Sequence, residues 1–121
     1  MAAAAGLATL TVIRNEHLVE RAATLGARAL AMLGDLAERP EIREVRGRGL
    51  MLAVEFQGER ASEHVEHLIR RGLERGLYLH PAGVRHEVIR LMPPLNVPEP
   101  ALWDGIGILA EIIEEVARVR S

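Results

Sequence analysis

The spacing of apolar residues changes near Pro40, and this change restricts the chain to folds that combine helices with a sheet. Across 18–36, apolar residues recur every three or four positions, which predicts one amphipathic helix. Through 42–48 and 50–56 they alternate with other residues, which is the period of half-buried strands. Since proline lacks a backbone N–H, Pro40 should end the helix near Glu38.

Similar patterns predict the other elements. Asn15 is a good N-cap for the second helix, and Gly76 suits the end of the third. The third helix should face inward with Ala61, Val65, Leu68, Ile69 and Leu73. The predicted helices cover 2–14, 16–38, about 59–75 and 99 onward, and the predicted strands cover 42–48, 50–56, 77–79 and 88–92. We expect residues 1–121 to form a single α+β domain, with a small, mainly antiparallel sheet of three to four strands packed against helices.

Composition excludes several classes of function. The chain has no cysteine, so neither a disulfide nor a thiol nucleophile is available, and a cytoplasmic setting is expected. The net charge is only −2 and there are three aromatic residues, which gives no basis for nucleic-acid binding. The apolar run 1–13 lacks a basic start and is shorter than the ~20 residues of a membrane span. Neither a signal peptide nor membrane binding is therefore expected.

The chain contains no lysine, because all 15 basic side chains are arginine. A Schiff base requires a primary amine that can lose its proton, and a guanidinium cannot replace it. No side chain of this polypeptide can therefore form an imine with an aldehyde cofactor.

Two pairs of histidines are candidate functional groups. His64 and His67 lie three residues apart on the third predicted helix, a spacing compatible with metal ligation. However, the chain has no cysteine that could complete a metal site, and the pattern is equally typical of a solvent-exposed helix face. His80 and His86 flank the predicted loop 81–84 and are expected to be exposed loop residues rather than acid–base catalysts. A metal site is therefore the less favoured interpretation.

Three arginines form a local basic cluster around Gly47. Arg43, Arg46 and Arg48 could bind a phosphate or an acidic partner, but Glu41 and Glu44 offset their charge. Surface ion pairing is the favoured interpretation. The pair of glycines at 47 and 49 is too short for a dinucleotide-binding fingerprint, which needs a third glycine at a helix start.

Five segments occur in the order found in one enzyme family. They are AAAAGLATLTVI at 2–13, LVERAATLG at 18–26, VRGRGLMLAVE at 45–55, VIRLMPPLNV at 88–97, and the apolar helix at 102–116. Together they resemble the C-terminal small domain of class III pyridoxal-phosphate aminotransferases, the group that includes ornithine, 4-aminobutyrate and acetylornithine aminotransferases. Each segment is weak evidence alone, whereas five in the correct order are specific.

The resemblance implies a function for the intact enzyme rather than for this chain. It implies that Arg90, in the strand before Pro93-Pro94, binds the carboxylate of an amino- or keto-acid substrate. It also implies that pyridoxal phosphate is bound by a large domain absent here, with none expected on this chain alone. The chain would thus begin at a domain junction, with that large domain or a companion chain as its partner, and with a homodimer possible.

The reaction that the resemblance implies moves an amino group from an amino acid or ω-amino acid to a 2-oxo acid. The segment Ile89-Arg90-Leu91 with Pro93-Pro94 is similar to subfamilies that act on ω-amino acids such as 4-aminobutyrate, ornithine or diaminobutyrate. Two alternatives stay open. The chain could be a non-catalytic binding or self-association module, including an isolated domain suited to folding studies, or a small metal-dependent enzyme using His64 and His67.

Overall fold

The computed structural model describes residues 1–120, with side chains described to Val116. It contains α1 (Ala2–Asn15), α2 (Leu18–Gly34), a 3₁₀ turn (Asp35–Glu38), β1 (Ile42–Arg48), β2 (Met51–Phe56), α3 (Ala61–Glu74), β3 (His80–Ala82), β4 (Val88–Leu91) and α4 (Glu99–Arg120). The strands form one sheet in the order β1-β2-β4-β3, and every neighbouring pair is antiparallel. The predicted α+β class, with a small antiparallel sheet against helices, is confirmed.

The core lies between one face of the sheet and helices α2, α3 and α4. The apolar stripe predicted across 18–36 is buried throughout, with Leu33 fully inaccessible to solvent. Opposite it, β2 contributes Leu52, Val54 and Phe56, each at most 2% exposed. Because side chains alternate along a strand, the intervening residues of β2 point to the other face of the sheet.

The turn between β1 and β2 lies directly against α2. A Cβ placed on Gly26 would lie 2.0 Å from the carbonyl oxygen of Gly49. Gly49 itself has φ +57°, a conformation that residues with a side chain rarely adopt. Only glycine at both positions therefore allows this turn to touch the helix.

The close contact predicts a large cost for any side chain at Gly26. Substitution Gly26→Ala should lower the free energy of unfolding by ~1–3 kcal/mol or more, because backbone rather than a flexible side chain must move. Gly34→Ala at the end of the same helix is the matched control, since no atom lies within 4 Å of its added Cβ. That variant should be neutral or slightly stabilising. Urea unfolding measures both, and equal effects would contradict the contact.

Three local predictions were wrong. Asn15 is the last residue of α1 rather than the cap of α2, and His17, in the left-handed conformation with φ 51°, occupies the cap position instead. The third strand begins at His80, not at 77, because Leu77 completes the end of α3. Leu73 is 58% exposed, since the inward position of that turn belongs to Gly72.

The end of α3 explains the displaced strand. The N–H of Leu77 donates to the carbonyl of Gly72 at 2.7 Å, and the N–H of Gly76 donates to Leu73 at 3.2 Å. These are the two bonds of a Schellman motif, with Gly76 at φ +80° as the predicted terminal glycine. The following strand includes Pro81, which is tolerated because β3 is an edge strand that pairs with β4.

An ion-pair cluster joins α3 to α4. Arg71 donates two hydrogen bonds of 2.9 Å to the carboxylate of Glu115 and a third of 2.5 Å to Glu74. His67 lies 3.7 Å from the same Glu115 carboxylate. The hydrogen bonds from Arg71 lower the pKa of Glu115 to about 2, while the same two carboxylates raise the pKa of Arg71.

This cluster predicts a pH-dependent contribution to stability. Because the folded-state pKa of Glu115 is below its ordinary 4.5, its stabilisation is complete above 4.5 and is lost as the pH falls towards about 2. Glu115→Gln should lower the urea midpoint at neutral pH, and its difference from the unsubstituted chain should shrink over that range. The control is Glu111→Gln, which removes the exposed Arg75–Glu111 pair on the same helix and should have a smaller effect. A constant difference from pH 7 to pH 2 would contradict the assignment.

Candidate functional site

The face of the sheet opposite the helices carries most of its charged side chains. We call it the open face; it includes Arg46 and Arg48 of β1, Glu55 of β2 and Arg90 of β4. A groove of about 540 Å³ lies over it. Its apolar floor consists of Ala53, Ala82 and Val88, and the exposed side chains of Met51 and Val84 also line it. The face therefore combines guanidinium groups with an apolar surface.

Arg90 lies on the second strand from one edge of the sheet, where backbone pairing fixes it on both sides. It is opposite Ala53 of β2 and His80 of β3. Ala53 is small, so the groove stays open beside the guanidinium. The Nε atom of Arg90 is buried and has no hydrogen-bond partner among the residues whose side chains are described. A planar guanidinium held in this way can bind a carboxylate by donating two parallel hydrogen bonds to its oxygens.

The other arginines of the open face differ in their pairing. Arg46 lies 3.1 Å from Glu44 and 3.6 Å from Glu55, and Arg43 also lies 3.6 Å from Glu55. The surface ion pairing predicted for this cluster is confirmed for Arg43 and Arg46. Within residues 1–116, neither Arg48 nor Arg90 forms an ion pair.

The histidines do not form a common site. His64 is buried with its ring 5.8 Å from that of Phe56, whereas His67 of α3 lies 3.7 Å from Glu115 of α4. No group of three potential metal ligands occurs in the described part of the chain, so the metal interpretation gains no support. His80 lies in β3 rather than in a loop, with its ring 5.7 Å from Tyr78. His86 lies in a turn with φ 56°.

Glu55 has no sequence feature that separates it from the other acidic residues, and its importance appears only in the sheet register. It is the acidic residue that faces both paired arginines, and its side chain is 19% exposed. The alternation of β2 could have placed Glu55 on the open face, but pairing it with particular arginines requires knowledge of how the strands align.

The fold occurs in solved aminotransferases. The chain superimposes on acetylornithine aminotransferase from Elizabethkingia anophelis with a TM-score of 0.80 and 34% identity, over 90% of this chain and 27% of that one. It superimposes on ornithine aminotransferase from Toxoplasma gondii with a TM-score of 0.80 and 30% identity, over 92% of this chain and 26% of that one. The chain therefore has the fold of one part of these longer enzymes.

The sequence gives the family directly. Residues 1–113 match the family model for class-III aminotransferases, and the chain belongs to that family. It is 39% identical to a 5-aminovalerate aminotransferase of Pseudomonas aeruginosa, over 97% of this chain and 29% of that protein. It is 38% identical to the mitochondrial ornithine aminotransferase of Arabidopsis thaliana, over 94% of this chain and 24% of that protein. The resemblance predicted from the five segments is confirmed.

Family membership implies pyridoxal phosphate in the intact enzyme. The residues of this chain do not fit its covalent attachment, because the cationic groups of the open face are guanidinium groups and the sequence has no lysine. Separately, no helix among residues 1–120 is both long enough and apolar enough to cross a lipid bilayer.

Proposed function

We propose that this chain is the C-terminal small domain of a cytoplasmic, homo-oligomeric, pyridoxal-phosphate-dependent aminotransferase, in which Arg90 binds the substrate carboxylate. One observation carries the proposal: Arg90 lines the groove, and its buried Nε has no hydrogen-bond partner among the residues whose side chains are described. Arg46 is paired with Glu44 and Glu55, and Arg48, which also lines the groove without an ion pair among those residues, is exposed whereas Arg90 is partly buried. Membership of the class-III family supports the activity.

In this proposal the chain binds and orients but does not carry out the chemistry. Arg90 fixes the carboxylate end of an amino or keto acid, and the apolar floor of the groove accepts the neighbouring carbon atoms. The cofactor and its lysine belong to the rest of the enzyme, so the chain alone is inactive. The names of its relatives, which include 5-aminovalerate, ornithine and diaminobutyrate aminotransferases, favour an ω-amino acid as donor.

Carboxylate binding at Arg90 can be tested on this chain by NMR titration with sodium acetate. Amide signals of Ala53 and His80, which pair with Arg90 across the sheet, should shift and saturate. Arg90→Gln should weaken the binding by about tenfold or more, the loss expected for a charge-assisted bidentate contact worth ~1.5–3 kcal/mol.

The control is Arg48→Gln, which removes the same charge from β1, two strands away from Arg90. This variant should bind acetate within about twofold of the unsubstituted chain, because exposed charges about 10 Å apart are largely screened at 0.1 M salt. Equal losses in the two variants would show that acetate senses only the overall charge, and the assignment of Arg90 would fail.

A second candidate function is a self-association module, and helix α1 favours it. None of its side chains is buried, and Leu7, Leu10 and Val12 are 68%, 66% and 44% exposed. An apolar helix surface of this kind promotes association in water. In the leading proposal the same surface packs against the rest of the enzyme.

Association through α1 predicts a concentration-dependent mass in sedimentation velocity. Leu7→Ser/Leu10→Ser should shift the chain towards monomer, because the change removes two exposed leucines. Val84→Ser is the control, since Val84 is 98% exposed but lies on a different part of the surface. A monomer at every concentration tested would remove this candidate and leave the leading proposal intact.

A further inference from the structure

Glu55 lies within reach of two arginines on opposite sides of it. Its strand β2 is flanked by β1, which carries Arg46, and by β4, which carries Arg90. Glu55 pairs with Glu44 on one side and with Val88 on the other, so Arg46 and Arg90 each lie two residues further along their strands. Diagonal neighbours of this kind are about 7–8 Å apart at the backbone, within reach of long side chains.

The carboxylate of Glu55 is held on only one of these two sides. Its Oε2 lies 3.6 Å from Arg46 Nη1 and 3.6 Å from Arg43 Nε, whereas Arg90 forms no ion pair within the described part of the chain. Arg46 and Arg90 are equally far along their strands from the residue that pairs with Glu55. The difference between the two sides is Arg43, an additional cation on the β1 side.

A carboxylate at that distance would be a strong competitor for Arg90. A tethered group acts at an effective concentration of about the millimolar range or higher, without the translational cost that a free ligand carries. If Glu55 turned towards β4, it would occupy the guanidinium that the proposed function reserves for a substrate carboxylate. Its position on the β1 side therefore affects binding.

We propose that Arg43 and Arg46 are positioning residues that retain Glu55 on the β1 side of the open face and thereby keep Arg90 available to the substrate carboxylate. This inference rests on the proposed function of Arg90. It assigns a binding role to ion pairs that contribute little to stability, since their arginines are 64% and 43% exposed.

The test compares two double variants of this chain with equal net charge. Arg43→Gln/Arg46→Gln releases Glu55 from both partners, whereas Arg43→Gln/Arg48→Gln keeps its contact with Arg46. In the acetate titration the first should bind at least about fivefold more weakly than the unsubstituted chain and the second within about twofold. Adding Glu55→Gln to the first variant should restore binding to within about twofold, because the carboxylate on the neighbouring strand β2 is then removed.

The outcomes distinguish a failure of the positioning role of Arg43 and Arg46 from a failure of the proposed function of Arg90. If the two double variants weaken binding equally, or if Glu55→Gln restores nothing, only the local field matters and the positioning role is wrong. If the unsubstituted chain shows no saturable acetate binding near Arg90, the proposed function itself fails. Should Arg43→Gln/Arg46→Gln unfold, Arg46→Gln compared with Arg48→Gln repeats the comparison with one charge changed.

Discussion

The packing of three helices against one face of a four-stranded antiparallel sheet determines where every other feature of this chain lies. The contact between Gly26 of α2 and Gly49 of the β1–β2 turn sets how closely the helices approach. Once that face is buried, strand alternation leaves no choice for the remaining side chains. Glu55 and Arg90 must then project from the open face, in positions that the register of β2 and β4 fixes.

The open face contains one arginine, Arg90, with a buried N–H donor that has no acceptor among the described residues. Elsewhere in the structure arginines find partners: Arg71 joins Glu115, Arg21 donates to the carbonyls of Leu95 and Val97, and Arg28 lies 4.5 Å above the ring of Trp103. Arg90 differs from these three arginines, because its buried Nε is unpaired among the described residues. An unsatisfied buried donor costs free energy, and such departures from local consistency are typical of functional sites.

Much of this fold could be predicted from the sequence, because burial alone decides it. The stripe in α2 and the alternation in β2 follow directly from which residues avoid water, and Gly76 was recognisable as a helix end. In β1 the burial does not alternate, because the register shifts between Ile42 and Glu44. The predictions that were wrong concern residues that lie between two elements and could belong to either one. Asn15 has a good side chain for capping α2, but α1 continues through it; Leu77 is a plausible strand residue, but its N–H completes α3.

Less of the candidate site than of the fold could be predicted from the sequence. The role expected for Arg90 came from the resemblance to a family, since nothing in its spacing separates it from fourteen other arginines. The pairing of Glu55 with the arginines of β1 could not be predicted, because it depends on the strand register, which sequence patterns do not supply.

The composition of the chain, by contrast, limits its possible chemistry without any knowledge of the structure. The guanidinium group of each arginine keeps its positive charge at every physiological pH, so it can bind an anion but cannot provide the deprotonated amine that an aldehyde cofactor requires. Within an aminotransferase such a chain is suited to holding a carboxylate, and the reaction at the amino group must take place on another part of the enzyme.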